Sequence, residues 1–184
     1  MIAFMIRCKG IIVVGILAIT LFAGNARSGD CPINYILVFH RYVALNNNVL
    51  QTVHAGYMAH AEGQILENYV DNIVDPTLEK LKEEICVTRK CKDQHVEILY
   101  EMLKMLVATS NVANETPTYI LGDIYFCRPD LLISAYGKLP ENQRVETWKS
   151  IELGLEMRAY YLENDSPEYM RLKRKLYEIR PRWH

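Results

Sequence analysis

The sequence predicts an all-α fold: a single-domain helical bundle, or stacked helical hairpins, stapled by disulfides. Three observations carry the prediction. Apolar residues recur at three- and four-residue steps through most of the chain. Asp75 and Ser166 each stand directly before a proline, the pairing of an N-cap with a first helical residue. Four cysteines, Cys31, Cys86, Cys91 and Cys127, follow an N-terminal segment built for export, where cystine is the stable form.

That N-terminal segment comes first in order. "MIAFMIRCKG" holds Arg7 and Lys9 and no acid, and the uncharged run "IIVVGILAITLFA" follows. A basic start, a short apolar stretch and small residues before a polar one make a secretory signal peptide, with cleavage expected after Ala26. Thirteen helical residues reach only about 20 Å, short of the hydrocarbon core of a bilayer at about 30 Å. The expectation is therefore a signal peptide over 1–26, no stable membrane insertion after processing, and one domain over 27–184. Removal of 1–26 takes two of the 21 Lys and Arg and none of the 22 Asp and Glu, leaving net −3. That charge argues against nonspecific nucleic-acid binding, which needs a basic footprint.

"INYILVFHRYVAL" has the length of a buried helix, and "NNN" at 46–48 is expected to break it. From Val49 to Val74 the spacing predicts one long amphipathic helix, with Val53, Tyr57, Ala61, Ile65 and Tyr69 in line and Leu66, Val70 and Ile73 beside them. Gly56 and Gly63 are tolerated inside it at about 1 kcal/mol each. Asp75 then caps a helix with Leu78, Leu81 and Ile85 inward. Asp93 caps the next, with Val96, Leu99, Leu103 and Leu106 inward. Residues 110–118 form a loop, and "YILGDIYF" is the one stretch that could be extended. Residues 128–163 read as a helical hairpin turning at Gly137 to Pro140, its second arm aligning Val145, Trp148, Ile151, Leu155, Ala159 and Leu162. Ser166 caps the last helix, with Leu172, Leu176 and Ile179 inward.

Four cysteines allow three pairings. Short loop length favours Cys86–Cys91, which leaves Cys31–Cys127 to tie the N-terminal segment to the middle of the chain.

The residues that could carry chemistry begin with "HAEGQ". His60 and Glu62, followed by Cys86 and Cys91 in "CVTRKC", resemble the signature of zinc-dependent nucleobase deaminases. The resemblance would make His60, Cys86 and Cys91 the metal ligands and Glu62 the acid/base, and it covers residues 60 to 91. The sequence departs from the family: Ile85 stands where a proline precedes the first cysteine, "TLEKLKEEI" is helical where a strand is needed, and a central sheet is missing. On a continuous helix, residues two apart diverge by about 200°, so His60 and Glu62 would point to opposite sides. No metal and no cofactor are therefore expected. GxSxG, GxGxxG, P-loop and CxxC motifs are absent.

Tyrosine is abundant, twelve residues against four phenylalanines, and most of it suits amphipathic packing with wet hydroxyls. The end of the chain differs. "YEIRPRWH" gathers Tyr177, Arg180, Arg182 and Trp183, residue types enriched where proteins touch. "AGYMAHAEG" followed by "ICVTRKCKDQHVEIL" resembles one class of periplasmic immunity proteins, with a Gly-Tyr helix and then a cysteine before a Gln-containing helix. The resemblance implies an inhibitor-type role and assigns no residue. The expectation is an exported, periplasmic or secreted protein that is not a catalyst. It binds another protein of its compartment; the alternatives are a deaminase-like zinc hydrolase or a structural envelope protein.

Overall fold

Helix α1, Tyr35–His54, opens the described part of the chain. The side-chain oxygen of Asn34 accepts the Leu37 N–H at 3.0 Å and so caps the first turn. The computed structural model describes residues 33–88, 94–161 and 166–181. The expected signal peptide, Cys31, Cys91, Asp93, Leu162, Arg182 and Trp183 lie outside them.

Tyr35, Phe39, Tyr42 and Asn46 share the buried face of α1. The helix runs straight through the three asparagines expected to end it. Asn46 is fully buried, and its amide exchanges two hydrogen bonds with that of Asn111, at 3.0 and 3.1 Å, while donating to the Ala108 carbonyl at 3.2 Å. A side chain so paired has no reason to compete with its own backbone, so the weak helix propensity of asparagine is overridden.

The break comes instead at Gly56, which adopts φ +82°. Its N–H reaches the Val53 carbonyl at 2.9 Å and the Tyr57 N–H reaches Thr52 at 3.1 Å. This is the Schellman pattern, in which glycine takes the left-handed residue that closes a helix. The single helix expected over 49–74 is thus two. Helix α2, His60–Tyr69, starts in a new phase. Val53, Tyr57, Ile65 and Ile73 of the expected stripe are exposed, while Leu66 and Val70, expected beside them, are buried together with Val74.

From α2 the chain continues without interruption through a π-helical turn at Val70–Val74, helix α3, Asp75–Glu83, and a second π-helical turn at Glu84–Thr88. Asp75 is therefore inside a helical run and not its N-cap. Its carboxylate accepts from Asn114 Nδ2 at 3.1 Å and Thr116 Oγ1 at 3.0 Å, tying down the loop before α5. The wider turn sits just before Pro76, whose ring and missing N–H a regular α-turn accommodates poorly. Leu78, Leu81 and Ile85 are buried as expected.

Helix α4, His95–Ala108, buries Leu99, Leu103 and Leu106 with Ile98, Met102 and Met105. "YILGDIYF" belongs to a helix as well: α5, Thr116–Cys127, buried from Ile120 to Tyr125. A helix apolar on all sides is a central one, and its run of β-formers mimics a strand for that reason. Helices α6, Pro129–Gly137, and α7, Glu141–Tyr161, form the expected hairpin. The Arg144 guanidinium fastens the turn by donating to the carbonyls of Leu139 at 2.9 Å and Gly137 at 3.1 Å. Helix α8, Pro167–Glu178, closes the described chain, with Ser166 Oγ accepting the Tyr169 N–H at 3.2 Å.

The most extensive pairing is α5 on α7, followed by α4 on α6 and α1 on α4, so α5 lies at the centre of an all-α fold. The described residues make one compact unit, and none of their helices is long and apolar enough to cross a membrane.

Both expected cysteine pairings are corrected. Cys86 is joined to Cys127, with Cα atoms 5.7 Å apart, so Cys86–Cys91 and Cys31–Cys127 do not form. Nearness along the chain loses to helix packing: α3 lies against α5, and its last π-helical turn meets the end of that helix. Beside this bridge, buried Asp123 receives Arg158 at 2.8 Å and Lys82 at 3.5 Å.

Candidate interaction surface

Helix α8 has two faces of opposite character. Tyr169, Leu172 and Leu176 are buried. The core holds this face by its backbone as well as by its side chains. Tyr125 Oη donates to the Leu172 carbonyl at 3.1 Å, and Trp148 Nε1 donates to the Leu176 carbonyl at 3.0 Å. Burial, with Glu178 second, pushes the Tyr125 hydroxyl up to about 12, so it stays a neutral donor at neutral pH.

The outer face carries Met170, Lys173, Arg174 and Tyr177, at the i, i+3, i+4, i+7 positions of one stripe, lining a shallow depression. Met170 is 52 % exposed and Tyr177 42 %. Several of these groups are fixed in place. Tyr177 Oη donates to Glu152 at 2.6 Å, and that bond raises its pKa. The Tyr177 ring meets Trp148 edge-on, centroids 5.4 Å apart. The Arg180 guanidinium lies 5.1 Å from the Trp148 ring and 5.6 Å from that of Tyr177. Lys173 reaches Tyr169 Oη at 3.3 Å and Glu156 at 3.5 Å, and the first of these raises its pKa. Arg174 is exposed and makes no ion pair among the described residues.

Of the four partner-contact residues expected from the sequence, Tyr177 and Arg180 stand together around Trp148; Arg182 and Trp183 fall outside the described residues. Met170, Lys173 and Arg174 share the exposed stripe with Tyr177 and were not expected there, although their spacing opposite Leu172 and Leu176 was there to be read.

The zinc reading fares differently. His60 and Glu62 lie in the first turn of α2, after a break in the helix, which corrects the continuous helix expected there. Local geometry is thus compatible with that signature. Cys86, however, is spent in a cystine and offers no thiolate to a metal. Among the described residues no three His, Cys, Asp or Glu side chains are grouped as metal ligands would be.

Compared with protein-family models, curated proteins and solved structures, the chain matches none of them.

Proposed function

We propose that this protein is an exported, non-catalytic binding protein that engages another protein of its compartment through the outer face of α8. The observation that carries the reading is the stripe of Met170, Lys173, Arg174 and Tyr177, exposed on a helix whose inner face the core anchors. Methionine, tyrosine and arginine on a rigid support are the side chains that anchor protein contacts. The charge favours an acidic partner surface: the stripe carries Lys173 and Arg174, and the rest of α8 adds Arg171 and Lys175 against Glu168 and Glu178, in a chain of net −1. Export is supported by the signal-like segment 1–26 and by a cystine, the form favoured in oxidising compartments. An inhibitor or immunity-type role is the form of binding that the sequence resemblance suggests.

A photoreactive amino acid placed at position 170, compared with one at Gln51 on α1, tests the reading in cells that produce the protein. The expected result is a cross-linked species specific to position 170 that disappears when Arg174→Glu is added. Identical products from both positions, or a product indifferent to Arg174→Glu, would refute it.

A further inference from the structure

Away from α8, two depressions adjoin across the connection between α4 and α5. One, of about 340 Å³, is rimmed by Glu67, Asp71 and Asp75 along the α2–α3 run. The other, of about 300 Å³, is floored by Leu153 and Met157 of α7. Residues 112–114 line both, so the two share a wall, and one is acidic where the other is apolar. Among the described residues no lysine or arginine lines either part. Asp75 is occupied by Asn114 and Thr116, but Glu67 and Asp71 are exposed and make no ion pair among the described residues. Leu153 is 53 % exposed and so open to a partner.

We propose that these two depressions act as one groove, which docks a cationic polypeptide segment bearing an apolar side chain. Its basic groups would lie along Glu67 and Asp71, and its apolar group would sit on Leu153 and Met157. Charge complementarity selects the sign of the partner, and the apolar end separates this site from a surface that merely attracts counterions. The groove is also well held. The Asn46–Asn111 amide pair and the bonds from Asn114 and Thr116 to Asp75 fix residues 111–116 from both sides, so little order remains to be imposed on binding. The inference goes beyond the α8 reading and involves no residue of that helix.

The test uses the purified full chain and a fluorescent peptide of lysine and leucine spaced by serine, followed by anisotropy. Glu67→Lys with Asp71→Lys is expected to weaken binding by about tenfold or more. Leu153→Ser is expected to weaken it by about threefold. Glu168→Lys with Glu178→Lys on α8 makes the same change in net charge and is expected to leave the groove's affinity within about twofold. Circular dichroism confirms that each variant is folded. The proposal is overturned if the peptide does not bind, if the α8 double variant weakens it as much as the groove variant, or if replacing leucine by serine in the peptide leaves affinity unchanged.

Discussion

Gly122 and Gly154 meet backbone to backbone where α5 crosses α7: a Cβ built on Gly122 would fall on the Gly154 carbonyl, and one on Gly154 would fall on that of Thr118. Neither obstacle is the movable end of a side chain, so a methyl group can be admitted only by separating the two most extensively packed helices. Gly122→Ala is expected to destabilise by roughly 1–3 kcal/mol or more despite its better helix propensity. Gly137→Ala, which adds its methyl group to open space, is expected to stay within about 0.5 kcal/mol of the parent. Urea denaturation of both variants checks the pair, and similar midpoints would refute the close crossing.

The Cys86–Cys127 bridge joins positions 41 apart in sequence. On chain-closure entropy such a bridge stabilises by about 4 kcal/mol at most. Cys127→Ser is expected to lower the thermal midpoint clearly while keeping the helical circular-dichroism spectrum. Peptide mapping without reductant is expected to recover Cys86 and Cys127 in one linked pair. Cys31 and Cys91 are the other two cysteines of the predicted mature chain, and the same map reads their state.

Glu101 supplies a pH-dependent contact. Burial pushes its carboxyl up, but hydrogen bonds from Lys104, at 2.9 Å to each oxygen, and from His40 at 3.0 Å outweigh this and hold it below the usual carboxylate range. A depressed folded-state value means that the stabilisation is fully present above the unfolded value, about pH 4.3, and is lost as pH falls through the folded one. Glu101→Gln is expected to destabilise by about 1 kcal/mol at neutral pH, and the difference from the parent is expected to shrink as the solution is acidified. A gap that stays constant down to strong acid would contradict the assignment.

Asn46 and Asn111 bond reciprocally between α1 and the connection after α4. Asn46→Ala leaves the Asn111 amide and the Ala108 carbonyl without their partner and is expected to cost about 1–3 kcal/mol. Asn111→Ala, at the exposed end of the pair, is expected to cost less, and the double variant to cost less than the sum. Additive losses would show that the two amides act separately.

The fold class was legible because the apolar spacing of α3, α4, α7 and α8 is local, and a buried stripe such as Leu78, Leu81 and Ile85 is set by helix period alone. What misled lay in tertiary partners. Asn46 reads as a breaker until Asn111 is placed opposite it, and α5 reads as extended until it is seen surrounded. Cys127 reads as remote from Cys86 until α3 and α5 are packed together. Gly56 is a different case. Ala-Gly-Tyr after a helical stretch carries its own stop signal, and treating glycine as an interior residue shifted the phase of the segment that followed. Of the surface at α8, Tyr177 and the following Arg180 were legible. The remainder required asking which side of α8 faces away from Leu172 and Leu176.

The bridge between Cys86 and Cys127 also governs how the molecule tolerates being cut. The exposed connection around Asn111 lies inside the loop that the bridge closes. A protease that nicks the chain there yields two fragments that remain one covalent body, heavier than the parent by a single water. The product would migrate as intact protein on a gel run without reductant and would separate only once the cystine is opened.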